Sequence, residues 1–244
     1  MSALLQVKGV GKKFGGFVAL DGIDLDVQPG ERLGLIGPNG SGKSTLVNCI
    51  CGALQNEIGT VHFDGQQVDG LAAHERTHRG LSRSFQLPRP FVSLSLADNL
   101  KIPMFYTVHK RSGTPLHADN IDARCAELLK LVGLEAKAHQ RPRDLTQVEM
   151  RKLELARAMA ARPRLLISDE AMAGLSGSEV DEVLELLFKL NASGITIIMI
   201  EHIMQAVMRF SQRVICLDAG RIICEGTPQS IVQDPHVQKA YLGA

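Results

Sequence analysis

Nine consecutive residues, Gly37, Pro38, Asn39, Gly40, Ser41, Gly42, Lys43, Ser44 and Thr45, bring glycines, a cation and hydroxyls together in one short run. Gly37, Gly42, Lys43 and Ser44 fit the spacing G-x-x-x-x-G-K-[ST]. Glycines let backbone N–H groups turn inward and approach an anion with no Cβ in the way. A helix beginning near Lys43 adds its positive N-terminal end. Lys43 then places a point cation between β- and γ-phosphates, and Ser44 offers a hydroxyl to Mg²⁺. The chemistry predicted is retention of the phosphates of ATP with magnesium, all nine residues forming the loop.

Two acids supply what hydrolysis needs. Asp169 and Glu170 follow an apolar run at 165–168, at the C-terminal end of a strand, where ligands bind in open α/β sheets. Asp169 is placed to hold magnesium through its water shell. Glu170 is then available to orient or deprotonate the attacking water, a role worth ~10²–10⁴ in rate. His202 follows another strand reading at 195–200 and reads as a sensor of the γ-phosphate. Taken singly, two acids after a strand or one histidine are ordinary loop residues; beside the loop at 37–45 they acquire a role.

Apolar runs bounded by turn residues predict strands at 4–10, 23–27, 33–36, 60–63, 81–85, 165–168 and 195–200. The run at 33–36 enters the phosphate loop and a helical stretch at 46–51 leaves it, as the motif requires. Helical stripes lie at 121–132 and 179–190, where Val180, Val183, Leu184 and Leu187 share a face. Strands alternating with helices predict an α/β fold with a mostly parallel sheet covered by helices on both faces. Residues 87–160 read mainly helical and interrupt that alternation as an inserted lobe. Near the end, RVICLDAGRIICEG predicts two strands joined at Ala219-Gly220, and Thr227-Pro228 opens a short helix.

Composition narrows the field. The chain has 244 residues, 45% of them hydrophobic, and a formal net charge of +1, so no basic field marks a nucleic-acid binder. Cys49, Cys51, Cys125, Cys216 and Cys224 form no C-x-x-C pair and read as small buried hydrophobes in a reducing compartment. The beginning, MSALLQVKG, lacks the pattern of a signal peptide. The apolar run at 195–200 is far short of the roughly 20 residues that span a bilayer, so a role at a membrane requires other chains.

With these residues in place, the sequence resembles the ATP-binding subunits of ABC transporters over nearly its whole length. Phe14, in KKFGGFVAL, matches the aromatic that stacks on adenine. Gln86, in SRSFQ, matches the glutamine that links the magnesium site to the membrane partner. LTQVEMRKLELARAMA from Leu145 occupies the place of the signature, Asp169 and Glu170 that of the Walker B pair, Ala173-Gly174-Leu175 the D-loop, and His202 the switch histidine. Within the family, GLSRSFQ, the Ala173-Gly174-Leu175 stretch and the ending DPHVQKAYLGA are similar to the branched-chain amino-acid importer ATPases.

The resemblance implies a P-loop NTPase core with an N-terminal antiparallel β-subdomain (about 1–86 and 161–244) and a helical subdomain (about 87–160), together one ATPase domain. It implies ATP and Mg²⁺ as cofactors, a catalytic set of Glu170, His202, Lys43 and Gln86, and magnesium held by Ser44, Gln86 and Asp169. It places Thr146, Gln147, Val148 and Glu149 against the ATP of a partner subunit. The implied assembly has two permease subunits, two ATPases and, indirectly, an extracytoplasmic solute-binding protein, on the cytoplasmic face of the membrane and without nucleic acid. Residues 87–91, with Pro88, Pro90 and Phe91, are the candidate permease contact.

The signature departs from L-S-G-G-Q. Val148 puts a branched side chain where backbone should approach the partner's γ-phosphate, and Glu149 adds a negative charge. Ala171 also replaces the usual proline. These changes favour a heterodimer with a better-matched ATPase over a homodimer. The alternatives are a soluble ABC-type ATPase outside transport, an importer ATPase for another small polar solute such as urea, and a nucleotide-binding regulator without turnover.

Overall fold

The computed structural model describes residues 2–84, 88–108 and 118–242. Strands β1 (Leu5–Phe14) and β2 (Phe17–Val27) form a long antiparallel hairpin. The chain then enters β3 (Arg32–Ile36) and α1 (Lys43–Cys51), and returns to the hairpin sheet through β4 (Ile58–Phe63) and the two-residue β5 (Gln66–Gln67). Their order is β2-β1-β4-β5, the antiparallel subdomain that the family resemblance implies.

After α2 (Ala73–Arg79) and β6 (Leu81–Ser84) come the helices of the lobe: α3 (Leu96–Pro103), which runs into a π-helical turn at Met104–Val108, α4 (Ala118–Leu131) and α5 (Gln147–Ala160). Strand β7 (Leu165–Asp169), α6 (Gly177–Ala192), β8 (Thr196–Ile200) and α7 (Met204–Phe210) continue the core. Strands β9 (Arg213–Asp218) and β10 (Arg221–Gly226) and helices α8 (Pro228–Gln233) and α9 (Pro235–Leu242) finish the chain.

The second sheet has the order β10-β9-β3-β8-β7-β6, parallel except for β10. Every residue of β7 and β8 is buried, as expected of strands covered on both faces. Alternation sends Leu165 and Ile167 to a core shared with α1, β1, β2 and β4. Leu166, Ile197 and Met199 go to the opposite core, which continues without a break into the helical lobe through Leu96, Leu128 and Leu153. The lobe and the core sheet therefore share one apolar interior. Four of the five cysteines are buried, all five are free thiols, and burial pushes Cys51 and Cys216 up to about 12.

The expected strands all form, but β2 begins six residues earlier than its apolar run at 23–27 suggests, because β1 supplies a pairing partner as far as Phe17. Helices α2 and α7 and strand β5 were not legible. In α2, AHERTHR has no apolar stripe, and its one buried residue is Arg76. No helix among the described residues is long and apolar enough to cross a membrane.

Candidate active site

Register fixes which loops meet. Leu35 of β3 lies beside Ile200 of β8, and Ile200 lies beside Asp169 of β7. The three strands therefore end level, and the chain segments leaving them, 37–45, 170–175 and 201–203, emerge on one edge of the sheet. That edge is where a parallel α/β sheet binds its ligand.

The first segment is a tight cradle. Gly42 sits at φ 108 just before α1, and a Cβ there would stand 2.7 Å from the Ala19 carbonyl oxygen. At Gly37 a Cβ would come within 2.1 Å of the Leu217 carbonyl. Both positions thus require glycine. The β9–β10 turn braces the loop, with Gly220 N donating to Ser41 O at 2.9 Å. The Tyr241 hydroxyl accepts from Gly37 N at 2.8 Å. Ser41 is buried, and its hydroxyl has no hydrogen-bond partner among the described residues.

Lys43 folds over this cradle, Nζ donating to Gly37 O at 2.6 Å and Pro38 O at 3.0 Å. Burial holds its pKa below the ordinary lysine value, while Glu170, Cys216 and Asp169 oppose that shift. A phosphate would replace carbonyl acceptors with a full negative charge, the stronger partner for a half-desolvated ammonium. The cleft beside it, about 250 Å³, is lined by residues 39–45 with Phe17, Ala19, Glu170 and His202. The aromatic bordering it is Phe17; Phe14, its register partner across the hairpin, is 48% exposed beneath Lys12 Nζ.

Glu170 adopts φ 49, a left-handed backbone that costs a non-glycine residue on the order of 1 kcal/mol. Its N–H donates to Ile200 O at 2.9 Å, which ties the turn to the neighbouring strand. Its Oε1 lies 3.1 Å from His202 Nε2. The arrangement can hold a water between carboxylate and cradle, and couples the position of that carboxylate to the imidazole. Asp169, 6% exposed, receives Arg83 Nη2 at 2.5 Å and Nε at 3.1 Å, both on Oδ2. A serine hydroxyl and a carboxylate are hard oxygen donors, the kind that hold Mg²⁺ with nucleotide phosphates and water. The residues present fit that ion. Gln86 lies outside the described residues.

The signature region takes a form its sequence alone did not suggest. Thr146 caps α5, its hydroxyl accepting from Glu149 N, and Glu149 Oε2 accepts from Thr146 N at 2.9 Å. Lys137 closes on the same carboxylate at 2.6 Å and holds it well below the usual glutamate range. Val148 is 9% exposed and packs into the lobe core. The expected repulsion from Glu149 is thus met by a lysine, and the Val148 side chain turns inward. Exposed Gln147 instead lies across Gly174 and donates to Ala173 O at 3.3 Å.

Comparison with known proteins gives the family. The ABC transporter family profile matches residues 20–173, and that of the branched-chain amino acid ATP-binding cassette transporters matches 221–244. The chain belongs to the ABC transporter ATPases. It is 34% identical to the high-affinity branched-chain amino acid transport ATP-binding protein BraF of Pseudomonas aeruginosa, over 98% of both chains. Identity to LivG of Escherichia coli K12, with the same description, is also 34% over 98% of each. The methionine import ATP-binding protein MetN of Mesorhizobium japonicum is 37% identical over 96% of this chain and 63% of its own. Among solved structures, the ADP conformation of the ATP-binding cassette MJ1267 superposes with a TM-score of 0.89 at 28% identity, covering both chains fully. The dimeric cassette MJ0796 gives 0.81 at 27% identity, covering 92% of this chain and 98% of that one.

Sequence reasoning missed Arg83, Asn48, Phe17, Glu201 and Tyr241. Arg83 left one signal, a cation inside an otherwise small and apolar strand at 81–85. Tyr241 and Glu201 left none, because their partners, Gly37 and Met172, are 204 and 29 residues away.

Proposed function

We propose that this ABC ATPase drives import of branched-chain or related amino acids, as a peripheral subunit on the cytoplasmic face of two permease chains fed by an external solute-binding protein. The observation that carries the ATPase part is the convergence of Lys43, Ser44, Asp169, Glu170 and His202 on one sheet edge. The solute class is supported by the names of BraF and LivG and by the match at residues 221–244.

In the proposed cycle the backbone of residues 37–45 and the Lys43 ammonium bind the phosphates, and the hairpin end carrying Phe14 and Phe17 receives the adenine. Ser44 and Asp169 hold Mg²⁺, with Gln86 as third contributor; the ion, when bound, neutralises charge on the β- and γ-phosphates. Glu170 orients a water for in-line attack and takes up its proton. His202, on the Glu170 carboxylate at 3.1 Å, keeps that base aimed at the γ-phosphate. Single-domain organisation, with the helical subdomain at about 87–160, follows the same family reading.

A groove of about 430 Å³ between α2, β6, α3 and α5 is the proposed permease seat. Phe91 and Tyr106 line it, 43% and 66% exposed. Arg157 of α5 donates to Arg89 O at 3.0 Å and lies over the Phe91 ring, so residues 88–91 rest on the helix that begins at the signature. Leu87, the first residue of the expected contact, lies outside the described residues.

The dimeric MJ0796 cassette supports a two-ATPase assembly. A distinct second ATPase is proposed on the departures Val148 and Glu149, beside which the exposed Gln147 stands at the N-terminus of α5. The test is co-purification of the tagged chain from its native membrane, followed by amino-acid uptake in vesicles. Recovery of two permeases, a different ATPase and ATP-dependent leucine uptake is expected. Recovery of this chain alone with the permeases, dimerising with itself on ATP, would overturn the heterodimer; uptake confined to another solute would overturn the solute class.

A further inference from the structure

Arg83 is a half-buried cation that the proposed cycle does not use. It projects from β6, beside β7, and meets two different elements. Nη2 and Nε donate to Asp169 Oδ2 at 2.5 and 3.1 Å, and Nη1 donates to Asn48 Oδ1 at 2.7 Å. The side chains of Arg83 and Asp169 are 15% and 8% exposed. Asn48 stands four residues after Ser44 on α1, so the two share a helix face. One planar guanidinium therefore bridges the helix that offers the Ser44 hydroxyl and the strand that offers the Asp169 carboxylate.

We propose that Arg83 is a positioning residue for the magnesium site, fixing the distance between Ser44 and Asp169 and the direction in which the Asp169 carboxylate is presented. Both Arg83 contacts fall on Oδ2, which leaves Oδ1 as the oxygen not engaged by the guanidinium. A fork with donors in a rigid plane can hold two elements at once, whereas an ammonium on a flexible stem holds one.

The inference rests on the magnesium reading above, and the test separates the two. In the full chain carrying Glu170→Gln, binding of a fluorescent ATP analogue is titrated in EDTA and then with increasing Mg²⁺. The parent must bind more tightly with Mg²⁺ than in EDTA; no gain there would overturn the magnesium reading itself. With that gain present, Arg83→Met is expected to keep the EDTA affinity within about twofold and to raise the Mg²⁺ concentration for half-maximal gain about tenfold. Arg83→Lys is expected to recover part of that loss.

A merely structural arginine would lower both affinities together, and a guanidinium competing with the ion would make Mg²⁺ bind more tightly once removed. Either result overturns the proposal. Should Arg83→Met fail to fold, Asn48→Ala, which leaves the ion pair and frees one side of the guanidinium, must raise the Mg²⁺ requirement at least about threefold. An unchanged requirement would overturn the proposal equally.

Discussion

Glu170 and Glu201 are carboxylates on adjacent strand ends with opposite environments. Glu170 faces the cleft and His202. Glu201 is 2% exposed and accepts from Met172 N at 2.9 Å. Burial pushes Glu201 up to about 7, with the Glu170 charge adding to the rise and the Met172 and His202 amides and Arg151 opposing it. Between the unfolded value and about 7 the folded chain holds the extra proton, so this group's stabilisation is complete below about pH 4.5 and is lost as pH rises through 7. Glu201→Gln keeps the acceptor for Met172 and removes the titration. In urea unfolding, the variant should gain on the parent between pH 5 and 8, by on the order of 3 kcal/mol at most. Parallel stability curves over that range would contradict this assignment. At this scale the phosphate loop and Asp169-Glu170 were legible because each group is contiguous in sequence. Arg83, Asn48 and Glu201 were not, because an isolated polar or charged residue acquires meaning only from a partner that the fold supplies.

Helix α1 shows how an element is held for a site at one end by chemistry at the other. Its N-terminus opens the phosphate cradle, and its C-terminal carbonyls receive Arg76. Nη1 donates to Cys49 O at 2.7 Å and Ile50 O at 2.8 Å, while Nε and Nη2 reach Leu71 O and Asp69 O. A cation at a helix C-terminus complements its dipole, and at 1% exposure the guanidinium replaces the water those carbonyls would otherwise bind. Arg76→Met should therefore cost about 2–4 kcal/mol, read as a lower urea midpoint; a cost under about 0.5 kcal/mol would contradict the role. Helix α1 was legible from its motif. Helix α2, which delivers Arg76, was not, since the polar run AHERTHR is held by that one buried arginine rather than by an apolar face. The signature is a related case: Glu149 closes a capping box on Thr146 and pairs with Lys137, a partner twelve residues away that its own sequence run does not name.

At the scale of the whole molecule, the sheet order brings segments more than a hundred residues apart to one edge, and the shared apolar interior joins the helical lobe to that edge. The fold class was readable because strand-helix alternation and doubly buried strands are local patterns. The partner across the proposed dimer was not, because a contact between chains leaves no pattern within one of them. The account's central claim is that this edge hydrolyses ATP with Glu170 as its base. Its most direct measurement is radiolabelled ATP turnover by the purified assembly in Mg²⁺, parent against Glu170→Gln, with retained nucleotide identified after rapid gel filtration. The account predicts that the variant's rate falls by ~10²–10⁴ while it retains ATP rather than ADP. Equal turnover in the two, or loss of ATP binding in the variant, would contradict it.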